Sequence, residues 1–233
     1  MIEINIINDV THINNIFLED VPKNKFKYYN VSNFSENITQ SQLEYLQKCA
    51  TTANIKLNNL PLKFHNKNVK LNNIWNFCIN KPNTMFDYPY TLNDIIFLPD
   101  WVLNYKQLIE ILVHERIHII QRYNYEQWFN IISEETQWKK LEYCYLDKYI
   151  DSLVYPNVII KNPDTYYYFS YDNCIAFFVF NVVKNKLILQ WFRIEQNKNL
   201  TKIDDNLPII CENNKFNIEH PFEYYAYYYE KLL

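Results

Sequence analysis

With 233 residues, a formal charge of −3 and no cluster of Lys or Arg, the chain lacks the basic footprint of a nucleic-acid binder. Its 48% hydrophobic and 21% charged residues are ordinary globular usage, which argues against wholesale disorder and predicts one folded domain over residues 1–233. Glycine is absent, so Gly-rich phosphate loops and Rossmann fingerprints are excluded, and left-handed turn positions must fall to Asn or Asp.

The opening MIEINIINDV has no basic segment ahead of an apolar one, and it alternates enough to predict a strand. The longest apolar run, Ile175 to Val183, is interrupted by Asn181 and is too short to span a bilayer. These features predict no signal peptide, no membrane span and a cytoplasmic or otherwise intracellular protein. The five cysteines are scattered, odd in number and without a C-x-x-C pair, so they are expected to be reduced and buried.

Ser41-Gln-Leu-Glu44 has the form of a capping box and predicts a first helix over 41–55. Residues 61–100, rich in Pro, Asn and aromatics, contain strand-like pieces at Asn73–Ile79 and Asn93–Leu98, the second closed by Pro99. Asn104, followed three residues on by Gln107, predicts the start of a helix through LIEILVHERIHIIQR. A further helical pattern covers Glu126–Ile150, burying Trp128, Ile131, Ile132, Trp138, Leu141 and Leu146. Past Pro156 the pattern changes: CIAFFVFNVV and LILQWFRI predict a β-hairpin whose turn, Lys184-Asn-Lys186, offers Asn for the left-handed position. Pro221 then opens a short C-terminal helix that carries Glu223.

The chemistry lies in His114-Glu-Arg-Ile-His118. On a helix, positions i and i+4 share a face, so both imidazoles can aim at one metal ion, while Glu115 sits about 100° round the axis and can take a proton from an adjacent water. The alternative is a core helix with incidental His and Glu. Chance would place this pattern in on the order of one chain in a hundred or fewer, and burying the three groups unpaired costs several kcal/mol.

A catalytic zinc site needs a third protein ligand. The other histidines, His12, His65 and His220, lie far from the motif, which leaves a carboxylate: Glu134, Glu135, Glu142, Glu219 or Glu223. Here the sequence resembles the gluzincin metallopeptidases, in which a glutamate from a later helix completes the site and a small residue commonly follows three positions on. Glu223-Tyr-Tyr-Ala226 matches that form, whereas Glu134 and Glu135 are followed at the same spacing by Gln137 and Trp138. The resemblance therefore favours Glu223, with Glu135 and Glu134 as alternatives. Gluzincins often carry an Asp four residues after the ligand glutamate; Tyr227 stands there instead.

More widely, the order of HERIH with Gln121-Arg122, then Asn162-Pro-Asp164, then Glu219-His-Pro-x-Glu223 is similar to uncharacterised zinc-peptidase-like proteins of large DNA viruses and some protists. For a viral source this implies the host cytoplasm or the virion. The resemblance implies an α+β, zincin-like fold: an active-site helix on a small mixed sheet, with an N-terminal lobe over about 1–123. A C-terminal lobe over about 124–233, of helices and a β-hairpin, would supply the third ligand.

It also implies one Zn2+ ion on His114, His118 and Glu223, a zinc-activated water with Glu115 as general base, and a peptide or protein substrate. Tyr168, Tyr171, Tyr227 and Arg122 are candidates for the oxyanion donor or for orienting a ligand. By the same resemblance, Thr91–Leu98 would be an edge strand to which an extended peptide adds. Two other functions remain open: a non-catalytic zincin-fold structural or interaction protein, virion-associated if viral, and a zinc hydrolase of a non-peptide amide.

Overall fold

The computed structural model describes residues 2–9, 38–60, 73–81, 88–141, 157–160, 168–181, 186–196, 199–203 and 221–232. The fold is α+β and divides into two compact units, Met1–Tyr125 with Tyr225–Leu233, and Glu126–Tyr224. The expected Lys184-Asn-Lys186 turn, the Asn162-Pro-Asp164 motif, Glu142, Glu219 and residues 142–150 fall wholly or in part outside the described residues.

In the first unit, strand β1 (Glu3–Ile6) pairs in parallel with β2 (Ile74–Asn80), and helix α1 (Gln40–Asn59) lies between them in sequence. The helix starts two residues earlier than Ser41 predicts. Thr39 is the N-cap, its side chain accepting from the Gln42 N–H while the Gln42 side chain accepts from the Thr39 N–H. Both T-Q-S-Q and S-Q-L-E satisfy the capping-box pattern, so local sequence could not choose between them. The helix then runs to Asn59, beyond the predicted 55, and stops because Leu60 precedes Pro61 and takes an extended conformation, φ −67 and ψ 139. Leu46, Cys49, Ala50, Ala53 and Leu57 form its buried face, small enough in the middle for close packing against another helix.

The expected strand at Asn93–Leu98 is present from Ile95, and an unforeseen strand before it makes the pair a hairpin. Strand β3 (Tyr90–Leu92) turns through Asn93 and Asp94 into β4 (Ile95–Pro99), with Leu92 opposite Ile95. Asn93 has φ 52, the left-handed conformation that a glycine-free chain assigns to Asn. The sheet order is β1-β2-β4-β3, with β3 antiparallel to its neighbour, so the sheet is mixed and β4 lies inside it. This removes Ile95–Leu98 as an edge for peptide addition. Tyr90, Thr91 and Leu92, which do lie at the edge among the described residues, are themselves buried.

After Pro99 the chain makes a 3-10 turn over Asp100–Asn104, driven by burial of Val102 and Leu103. Helix α2 (Leu108–Tyr123) therefore begins later than an Asn104 N-cap would place it, and Gln107 at its start makes no side-chain cap bond. From Leu112 to Gln121 every residue of α2 is buried, as expected of a helix enclosed on all sides. It packs against α1 and β3.

The second unit opens with helix α3 (Tyr125–Glu135, assigned from Glu126 onward to this unit), which stops well short of the predicted 150. Thr136 accepts a hydrogen bond from the Trp138 N–H at 3.3 Å, a local bond that competes with helix continuation, and β5 (Lys139–Leu141) follows. Trp138 is buried as predicted, its ring against Tyr171 and Trp191. Strand β5 pairs with β7 (Tyr168–Ser170).

A four-stranded antiparallel sheet has the order β10-β9-β8-β6, from β10 (Leu200–Lys202), β9 (Lys186–Ile194), β8 (Cys174–Asn181) and β6 (Asn157–Ile160). The predicted hairpin is its centre, β8 against β9 from Cys174↔Arg193 to Asn181↔Lys186. Between β7 and β8 the chain turns through Asp172 (φ 48) and Asn173 (φ 56), closed by reciprocal Tyr171 and Cys174 backbone bonds; both left-handed positions avoid glycine. The C-terminal helix α4 (Pro221–Lys231) begins at the predicted proline. Among the described residues no helix is long and apolar enough to cross a membrane. Cys49, Cys78 and Cys174 are free and buried, as expected.

Candidate metal centre

Helix α2 carries His114 and His118 one turn apart, and the register of the helix turns both into the protein, 8% and 1% exposed. Their Nε2 atoms stand 3.1 Å from each other. The outer nitrogen of each ring has a partner: His114 Nδ1 lies 3.1 Å from Glu230 Oε2, and His118 Nδ1 lies 3.0 Å from Gln121 Oε1. A carboxylate and an amide oxygen only accept, so each Nδ1 carries a proton, and in the neutral imidazoles each Nε2 then presents a lone pair. Two lone pairs facing across 3.1 Å repel, and a cation between them reverses the interaction. Two nitrogens on one tetrahedral ion with bonds of about 2.0–2.1 Å stand roughly 3.3 Å apart, close to the observed spacing.

Helix α4 supplies the third group. Ligand atoms of His114, His118 and Glu223 all lie within 4.8 Å of one another, and these three side chains could hold a metal ion. Among the described residues this is the group of His, Cys, Asp and Glu with that spacing. Among the described residues, Glu223 is the candidate carboxylate whose ligand atom lies with those of the histidines; Glu134 is exposed on α3, and the Glu135 side chain, Glu142 and Glu219 are not among those described. Ala226, three residues after Glu223, is fully buried on α4. Its small side chain suits close packing of that helix.

Glu115, next to His114, is 5% exposed, an uncommon environment for a carboxylate. Tyr227 lies against the face of the centre, its ring centroid 4.5 Å from that of His114 at an interplanar angle of 62°. Tyr168 is buried edge-on to Phe177, and Tyr171 packs on Trp138. Arg122 uses its guanidinium on the β3–β4 hairpin, donating to the carbonyls of Asn93 and Thr91 and to Thr91 Oγ1.

Glu230 and the role of Gln121 were not legible from the motif. Glu230 is seven residues beyond Glu223, two turns along the same helix face, so a search at i+7 as well as i+4 would have found it. It provides the carboxylate that Tyr227, at i+4, does not.

Two residues from each histidine, and so on the opposite face of α2, Arg116 points its guanidinium over the Trp75 ring at 5.0 Å. Burial pulls its pKa down to about 10, an effect that nearby Asp94 opposes. No family model, curated protein or solved structure matches the chain.

Proposed function

We propose that the protein is a zinc-dependent metallopeptidase of the gluzincin type. The observation that carries this reading is the three-membered donor set of His114, His118 and Glu223 together with a buried glutamate, Glu115, next to His114 in sequence. Structural zinc sites are closed by four protein ligands, whereas catalytic ones use three and keep a position open for reactants. Two imidazoles and one carboxylate are also the donors that zinc accepts most readily in hydrolases.

When bound, zinc supplies Lewis acidity, which makes a water nucleophilic near neutral pH and polarises an amide carbonyl. The chain's own residues do the rest. Glu115 accepts the proton of the attacking water and returns it to the departing amine, so one carboxylate serves as base and then acid. Glu230 and Gln121 hold the imidazoles in the Nδ1–H tautomer with their Nε2 atoms directed inward. Tyr227 forms a wall beside His114, where an aromatic surface favours an apolar substrate group. The substrate on this reading is a peptide or protein.

The test combines metal analysis with cleavage. Purified wild type is expected to hold one zinc per chain and to cut a denatured protein or a mixed peptide library, with products read by mass spectrometry. Glu223→Ala should lose the metal. Glu115→Gln should retain it and lose about 10²–10⁴-fold in rate. Cleavage that persists in Glu115→Gln removes the glutamate from its role. A zinc-loaded wild type that cuts no peptide withdraws peptide hydrolysis and leaves a non-peptide amide or a non-catalytic centre.

A further inference from the structure

Helix α2 is held at an unexpected end. Its first residue follows Gln107, which makes no side-chain cap bond, so the start of the helix is held only by backbone bonds such as Leu108 N–H to the Tyr105 carbonyl at 3.2 Å and by burial of Leu108. Its last turn, in contrast, carries Arg122, which follows His114 and His118 along one line of the helix at i, i+4 and i+8. The Arg122 guanidinium donates to the Asn93 carbonyl, to the Thr91 carbonyl at 3.3 Å and to Thr91 Oγ1 at 3.0 Å. The acceptors belong to the β3–β4 hairpin, where the Leu92↔Ile95 pair closes a two-residue turn. In that register Thr91 and Ile96 form the non-hydrogen-bonded pair, which points the Thr91 carbonyl away from β4 and toward Arg122.

The hairpin turn is itself tied into the sheet. Asn5 Nδ2 donates to Asn76 Oδ1 at 3.1 Å, and Asn76 Nδ2 donates to Asp94 Oδ2 at 2.9 Å, so a line of polar side chains crosses β1 and β2 to reach the turn. Arg122 therefore connects the ligand-bearing helix to a point already tied into the sheet. Its guanidinium spreads several donors in one plane, which resists both sliding along and rotation about the helix axis in a way a single ammonium does not.

We propose that Arg122 is a positioning residue for the metal centre, setting the height and rotation of α2, and with them the His114 and His118 imidazoles, through its bonds to Thr91 and Asn93. This rests on the metal-centre reading above. It gives Arg122 a task at a distance from the ion, and it makes metal affinity depend on a residue one turn beyond the second histidine.

The experiment measures zinc affinity by competition with a chromophoric chelator, and the visible spectrum of the Co2+-substituted protein, for wild type, Arg122→Met, Arg122→Lys and Thr91→Val. Thr39→Ala, which removes the α1 cap, serves as a control for general loss of stability. Amide hydrogen exchange over residues 90–95 reports the hairpin tie without any metal. Arg122→Met should weaken zinc binding about tenfold, change the Co2+ spectrum and speed exchange over 90–95. Arg122→Lys and Thr91→Val should fall between it and wild type, and Thr39→Ala should leave affinity and spectrum unchanged.

Should Arg122→Met match wild type in zinc affinity and Co2+ spectrum, the positioning role is overturned. It is equally overturned if Thr39→Ala weakens zinc as much as Arg122→Met does, since stability alone then accounts for the effect. A wild type that binds neither zinc nor Co2+ removes the metal-centre reading and the positioning role with it, while the exchange data still report whether Arg122 holds the hairpin. The Thr91→Val chain, which loses one acceptor, keeps the test in hand if Arg122→Met does not fold.

Discussion

Two residues outside the HExxH motif determine how its histidines present themselves. Glu230 and Gln121 each accept from an Nδ1–H, one with a charge and one without. A carboxylate raises the basicity of its imidazole more than an amide does, so the two histidines would be unequal ligands to a metal. Replacing Glu230 by Gln keeps an acceptor and removes the charge, whereas Glu230→Ala removes both. Zinc affinity measured by chelator competition is therefore expected to fall about 10–100-fold in Glu230→Ala and by less in Glu230→Gln. Equal loss in the two variants would mean that charge contributes nothing at this position.

At the scale of elements, the centre depends on how closely α4 packs. Ala226 is fully buried and lies one turn from Glu223, so there is no room for a larger side chain without displacing the helix. Ala226→Leu is expected to cost about 1–3 kcal/mol by overpacking. The same change should release zinc, because Glu223 moves with the helix. Denaturant titration beside metal analysis reads both effects. The β7–β8 turn makes a second demand on an element. Asp172 and Asn173 take the left-handed conformation in sequence, and a β-branched residue there loses what Asn tolerates. Asn173→Val should destabilise by about 1–2 kcal/mol without touching the metal centre, as thermal denaturation and zinc content would show.

For the whole molecule, the metal would join side chains more than a hundred positions apart in sequence, His114 and Glu223. An ion that binds only the folded chain stabilises it by mass action, about 4.1 kcal/mol at a thousand times its dissociation constant. Chelation should lower the thermal midpoint of wild type and leave that of Glu223→Ala unmoved. Thiol burial sets a further dependence on pH. Burial pushes the Cys78 thiol well above its ordinary range, and it raises Cys49 and Cys174 against opposing contributions from Tyr45 and Arg193 respectively. A raised folded pKa favours the folded state fully below the unfolded thiol pKa of about 8.5, and that contribution is lost as pH climbs above it. Stability should thus decline in the alkaline range, and Cys78 should resist alkylation at neutral pH until the chain unfolds.

The sequence by itself determined the HERIH helix, the capping-box type of start to α1, the β8–β9 hairpin and the proline that opens α4, because each depends on short-range chemistry: side-chain spacing, a local hydrogen bond or a fixed φ. A resemblance to gluzincins in Glu223-Tyr-Tyr-Ala226 also pointed to Glu223, which residue types alone left level with the other carboxylates. Element limits escaped the sequence where two local patterns competed. Thr39 and Ser41 both suit a cap, and the helical spacing continues past Glu135, where the chain leaves the helix and enters β5 with Trp138 buried against Trp191. Tertiary structure alone decided that β4 is internal, that Glu230 rather than a group at i+4 orients His114, and that Arg122 serves the hairpin. Those outcomes depend on which surfaces meet across long stretches of chain. Residue spacing along one helix or strand carries no record of its neighbour.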